Sequence, residues 1–324
     1  MAANSRATLE NNQVAIYFAA VAAGVLVAVA MPSNTWGAAI NPALAALIYV
    51  TFLQVPLGEL RQSLANGRFL LALLAVNFVV VPCVVFALVS LLPGDQWAVR
   101  LGALLVLLAP CIDYVVVFTH LGRGDAKLVL AATPVLLLVQ MLLLPVYLGL
   151  FVGAEATALM RLGPFLEAFA LFIAVPLVLA GATQAWAART GAGKAAADTM
   201  AWLPVPLMAM VLFLVVAAVA PDVAAHARAV ALVVPVFIAF ALVMPYAGRA
   251  VARLLGLEAE AARAVVFSGS TRNSLVVLPL AFAVPDTAAL VPAAVVTQTL
   301  VELVAMLVYV RWVPRLVPTA ALAR

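Results

Sequence analysis

Charge is what this chain has least of. Asp, Glu, Lys and Arg make up 9% of its 324 residues, while 68% are hydrophobic. A soluble globular domain carries about 25% charged and about 45–50% apolar residues. Mean hydropathy is +1.22. Surface shrinks too slowly with size for a water-soluble fold of this length to hide so much apolar material. The shortage of charge thus excludes a soluble enzyme or binding domain and predicts an integral membrane protein. Histidine and cysteine are as scarce. His120 and His226 stand alone, with no His-Glu-x-x-His or Cys-x-x-Cys pattern, so neither a metal centre nor a cofactor is expected. Cys83 and Cys111 each lie inside an apolar run, which argues against a disulfide framework. The basic excess is four charges, so the pI near 9.4 reflects few titratable groups rather than a nucleic-acid patch. The first apolar run lacks a small-residue cleavage site and nine more follow it, which speaks against a removable signal peptide.

Apolar runs are what the chain has in abundance. A helix needs about 20 mostly apolar residues to cross a hydrocarbon core about 30 Å thick. Ten runs between charged or Pro/Gly breaks meet that need: 13–31, 37–57, 69–92, 99–121, 127–153, 164–186, 200–219, 227–248, 262–284 and 288–311. The loops between them are too short for an aqueous domain. With the N-terminus in the cytoplasm, the inner side holds 13 Lys and Arg and the outer side 3, namely Arg100, Arg161 and Arg228. That is a positive-inside split, and it places both termini in the cytoplasm. High Ala, Val and Arg usage points to the inner membrane of a bacterial cell.

Ten spans divide into five plus five, and an odd-numbered repeat must be inverted relative to its twin. The expected halves are 1–153 and 154–324. Span four, LLAPCIDYVVVFTHLGRGDAKL, and span nine, VVFSGSTRNSLVVLPLAFAVPDTA, each carry a polar interruption, an apolar run and a turn holding Asp125 or Asp286. Span five carries Gln140 and span ten Gln298. The expected fold is all-α, ten transmembrane helices in an inverted repeat, with broken helices four and nine crossing at the midplane.

Charge at membrane depth is costly and marks a pathway or a partner. Asp113 sits mid-span four, just after Pro110 and Cys111. Arg272 sits mid-span nine within Gly269-Ser270-Thr271-Arg272-Asn273-Ser274. Non-helical backbone at that depth survives only inside protein or beside a cavity. An Asp113–Arg272 ion pair at the crossing is therefore expected, either as a structural clasp or as a pair that substrate or protonation opens. Glu302, one turn after Gln298, is either an interhelical hydrogen-bonding group or a coupling residue. Glu167 is shallow enough to snorkel. Cys111 is either a small apolar packer or a thiol suited to a soft metalloid; Cys83 reads as packing.

These residues resemble a known family. Leu108-Ala109-Pro110-Cys111, then Val115-Val116-Val117, Leu121, Gly124-Asp125, Gln140 and Val146-Tyr147 resemble spans four and five of bacterial arsenite-efflux permeases, within the bile acid:sodium symporter superfamily. The stretch NPALAALIYVTFLQVPLGEL and the Leu278-Pro279-Leu280-Ala281 run after the break of span nine fit the same superfamily. The resemblance implies a secondary transporter that exports arsenite in exchange for protons, with Cys111 as its arsenic-contacting thiol. Beside the resemblance, the intramembrane polar groups themselves give Arg272, Asn273 and Ser274 as expected substrate-binding residues, Asp113 and Glu302 as expected proton carriers, and Gln140, Gln298, Ser270 and Thr271 as supporting polar groups. Two departures stand out. The arsenite permeases carry an acid in span nine, where this chain has Arg272-Asn273-Ser274-Leu275, and Asp113 replaces an apolar residue. A fixed guanidinium could then take the electrostatic role of a bound sodium, leaving a carboxylate to titrate. The alternative is a sodium- or proton-coupled carrier of a small organic anion read by Arg272. An intramembrane enzyme or a channel has less support in the residues.

Overall fold

The structure is a computed structural model. It describes residues 9, 12–30, 37–55, 66–112, 114–151, 167, 170–225, 227–284 and 290–319. The described chain is helical throughout, with one isolated β-bridge, between Pro110 and Arg272. Its helices are α1 (Gln13–Ala30), α2 (Gly37–Gln54), α3 (Gly67–Val89), α4 (Trp97–Leu107), α5 (Val115–Leu121) and α6 (Ala126–Phe151). After them come α7 (Val175–Arg189), α8 (Gly191–Met200), α9 (Pro204–Ala225), α10 (Ala227–Leu254), α11 (Ala259–Ser270), α12 (Ser274–Phe282) and α13 (Leu290–Leu316). Five of these, α3, α6, α9, α10 and α13, are long and apolar enough to cross a membrane. Leu26, Val29, Leu142, Leu150, Val178 and Leu254 lie exposed on helix surfaces, a pattern that lipid tolerates and water does not.

Each apolar run expected from the sequence coincides with a helix, or with two helices separated by a break. Runs four and nine are the interrupted ones: α4 and α5, then α11 and α12. The sequence reading missed α8, which lies in an expected loop. Its GAGKAAADTM stretch is rich in alanine, the best helix former. Thr190 caps its start, Oγ1 accepting from Gly193 N at 3.0 Å.

The helices pack in two groups, each drawing on both halves of the chain. In one, α9 lies against α1 and α2, and α7 against α2 and α8. In the other, α10 packs on α11 and α13, and α13 on α4. Close approach there needs small residues. A Cβ on Gly102 of α4 would stand 2.7 Å from the Cβ of Ala294 and from the carbonyl of Val291, both on α13. Arg263 pins the base of α11 by donating to the carbonyls of Val317 and Arg123, each at 2.9 Å, and to Thr319 Oγ1 at 3.2 Å.

Candidate functional site

The two breaks have local causes. Pro110 offers no N–H and disfavours helical backbone at Ala109 before it, so α4 stops at Leu107. In the second break Thr271 is extended (φ −114°, ψ 134°), and Asn273 restarts the chain as N-cap of α12, Oδ1 accepting from Val276 N at 3.1 Å. The stripped segments then satisfy one another. Asn273 N donates to Ala109 O at 2.8 Å and Cys111 N to Thr271 O at 3.3 Å, an antiparallel pairing centred on Pro110 and Arg272. Two broken helices thus cross and share their backbone hydrogen bonds, as buried polar backbone must.

Pairing leaves the C-terminal carbonyls of α4 and α11 at the crossing, and the Arg272 guanidinium answers them. Nη2 donates to Ser268 O at 2.7 Å, Gly269 O at 2.8 Å and Asn77 Oδ1 at 2.8 Å; Nη1 reaches Leu107 O at 3.4 Å. The side chain is fully buried, with the face of Phe240 5.6 Å from Cζ. A cation at two helix C-termini matches both helix dipoles. Asn77 reaches the cage from a π turn, Val76–Val80, inside α3. Its Nδ2 donates to Leu73 O and Ser268 Oγ, each at 3.0 Å. Gly269 lets α3 come this close, for a Cβ there would meet Val76 Cγ1 at 2.3 Å.

The carboxylate of Glu302 (4% exposed) sits at the other side of the break. It accepts from Arg272 N at 2.9 Å, from Gln298 Nε2 at 2.5 Å and from Tyr114 Oη–H at 2.5 Å. Tyr114 Oη also lies 3.1 Å from Arg272 O. The phenol has one proton for two acceptors, so its choice depends on whether Glu302 is ionised.

Tyr114 also lines a cavity of about 600 Å³ between α1, α2, α8, α9 and the first break. Ile112, Thr51, Gln54, Trp202 and Met208 share the lining. Gln13, buried on the same wall, leaves its Nε2 unpartnered. Among the described residues no cluster of His, Cys, Asp or Glu could hold a metal ion.

A cavity beside two crossed broken helices, in a bundle this apolar, is the layout of a solute carrier. The family model of the SBF-like CPA transporter family matches residues 11–311, nearly the whole chain. The chain belongs to that family. It is a multi-pass membrane protein and a transporter of the secondary type. No curated protein matches it.

Within the transporter, the crossing gathers most residues singled out from the sequence. Cys111 (0% exposed), Ser270, Thr271, Arg272, Asn273, Ser274, Gln298 and Glu302 are all buried on or beside it. Thr271 Oγ1 turns back to Phe267 O at 2.6 Å, whereas Ser270 Oγ, Ser274 Oγ and Asn273 Nδ2 have no partner. Asp113 lies outside the described residues, as do Asp286 and His226. The described acceptors around the guanidinium are carbonyls and an amide, not a carboxylate. Gln140, buried on α6 with Oε1 unpartnered, is among the described partners of neither Arg272 nor Glu302. Glu167 is exposed, and so is Cys83. Sequence reasoning missed Asn77 and Tyr114. A lone amide in the apolar run LLALLAVNFVVVP was the available signal for the first, and a phenol inside a helix break for the second.

Proposed function

We propose that this transporter carries a small organic solute through the cavity beside the crossing and couples that movement to protons at Glu302. The observation that carries the reading is Tyr114, which lines the cavity and whose hydroxyl bonds Glu302. With Glu302 ionised, Tyr114 donates to the carboxylate. With Glu302 protonated, the acid donates to the phenol oxygen, and the phenol proton turns to Arg272 O. Protonation thereby changes a hydrogen bond between the first break and the second, next to the solute. Asp113, one residue away, is a second proton-carrying group in this proposal, with Arg272 as its fixed counter-charge.

Arg272 takes the place of a transported cation. Carbonyls at half-helix ends coordinate sodium in many secondary transporters, and here a guanidinium fills that position. It is an unsuitable reader of an organic anion, since a substrate would have to strip it from Ser268, Gly269, Asn77 and Leu107. Ser274 and Asn273, with unpartnered polar atoms, remain available to a solute that reaches the break.

Arsenite export is the second reading, favoured by the position of Cys111 next to Ile112, which lines the cavity. It requires the break to open, because the thiol is fully buried. One assay separates the readings. Everted vesicles are given a proton gradient or a sodium gradient and offered arsenite or a panel of labelled neutral and carboxylate solutes. The organic-solute reading expects proton-driven uptake of a solute, no sodium effect, and loss of uptake when Ala201→Trp fills the cavity. Proton-driven arsenite uptake that Cys111→Ser abolishes would establish the arsenite reading instead. Sodium-driven uptake insensitive to pH would overturn proton coupling.

A further inference from the structure

Away from the crossing, α10 and α13 enclose an outward-facing groove of about 650 Å³. Tyr309 Oη–H donates to Ala241 O, and Tyr246 packs edge-on against Trp312 with ring centroids 5.4 Å apart. These contacts set the two helices parallel, so their C-terminal ends lie together. The groove wall is apolar, with Leu242, Val304, Leu307 and Val308 exposed along it. At one end the wall changes character, with Arg311 and Arg315 lining it beside Trp312.

Length identifies what this groove fits. From Val301 to Arg315 the wall runs about 21 Å at 1.5 Å per residue. One leaflet, headgroup region included, is about 20–22 Å deep. The loop charges put the arginine end at the cytoplasmic face, where an aromatic ring such as Trp312 also belongs. Arg311 and Arg315 are one turn apart, hence on one face of α13, and both are exposed. Among the described residues neither forms an ion pair. Two guanidinium groups at that spacing form a fork for a phosphate oxyanion. A second copy of this chain fits poorly. A two-fold axis along the groove would bring both arginine pairs to the same cytoplasmic end, like charge against like.

We infer that this groove binds one anionic phospholipid of the cytoplasmic leaflet, acyl chain along Val304, Leu307 and Val308, phosphate at Arg311 and Arg315. The inference is independent of what the transporter carries. Its test uses the full chain in neutral detergent, titrated with phosphatidylglycerol or with phosphatidylcholine of the same acyl chains. Bound lipid is counted by native mass spectrometry, and melting is followed in parallel. Phosphatidylglycerol is expected to bind one per chain, raise the melting temperature, and lose about thirtyfold in affinity in R311Q/R315Q. R311K/R315K, which keeps charge without the fork, should fall between. R100Q/R228Q, at the opposite face, should bind like the parent chain. Equal binding of the two lipids would overturn the inference, and so would an unchanged preference in R311Q/R315Q. So would a melting shift reproduced by inorganic phosphate alone, or a dimer that excludes the lipid.

Discussion

Replacing Arg272 with methionine keeps most of the side-chain volume and removes only the cation and its donors. Three acceptors that it satisfies at 2.7–2.8 Å, Ser268 O, Gly269 O and Asn77 Oδ1, would lose a partner inside a fully buried site. Each orphaned acceptor costs about 1–3 kcal/mol. The carboxylate of Glu302 would also stay behind, and breaking one side of a buried charge arrangement costs about 3–5 kcal/mol. Removing the guanidinium returns part of this, since its own desolvation is no longer incurred. The expected net loss is about 3–5 kcal/mol, a large share of the 5–15 kcal/mol that holds a typical fold. Five tryptophans make fluorescence-monitored melting in detergent a convenient assay. Arg272→Met should melt well below the parent. In Arg272→Ala, which empties the cage, methylguanidinium should recover part of the loss, and in either variant sodium should recover a smaller part. The parent protein should respond to neither, and Arg272→Lys, a single point charge without the fork, should be intermediate. An Arg272→Met protein that melts like the parent would refute the cage, and so would a parent protein stabilised by sodium as strongly as the variant.

Other substitutions test the parts separately. Glu302→Gln keeps an acceptor for Tyr114 but cannot carry a proton, so uptake driven by a pH gradient should fall sharply while solute counterflow persists. Tyr114→Phe removes the hydroxyl between cavity and carboxylate. Proton-driven uptake should fall about tenfold, the worth of one hydrogen bond near 1.4 kcal/mol, with melting affected much less than by Arg272→Met. Gly269→Ala should destabilise by about 1–3 kcal/mol through its clash with Val76, and Val76→Ala in the same chain should restore most of it in a double-mutant melting cycle. Arg263→Gln should leave proton-driven uptake intact but raise hydrogen exchange around Val317, because the carbonyls of Val317 and Arg123 lose their donor.

Legibility in the sequence followed the range of the interactions involved. Apolar runs betray helices because each span must satisfy its own backbone and face lipid, both local demands. The breaks were legible for the same reason: Pro110 disfavours helical backbone before it, and the Gly269–Ser274 stretch offers side chains that replace helical bonds. What the charges bond to was not legible. Asp113, the carboxylate expected to pair with Arg272, lies outside the described residues; of the acceptors described, Ser268 O and Gly269 O are local, whereas Leu107 O and Asn77 Oδ1 meet the guanidinium only once distant segments pack together. Asn77 was hidden by a π turn, which rotates one residue of an otherwise featureless run toward the crossing.

The arrangement of charge also bears on which ion can do work. At the crossing the cation lies among C-terminal carbonyls of α4 and α11, and the carboxylate takes the N–H of Arg272, two residues ahead of α12. Each sign thus sits at the helix ends that favour it. An arginine is covalently fixed and does not release its proton at any physiological pH, so the cationic position cannot load and unload during a cycle. In the proposed cycle the group that changes state is then the carboxylate, which is linked to the cavity through Tyr114. On the proposed reading, driving force from outside enters as protons on an acid. Sodium has no comparable foothold until Arg272 is taken away, which is why the parent and Arg272→Met proteins should differ in their response to sodium as well as in stability.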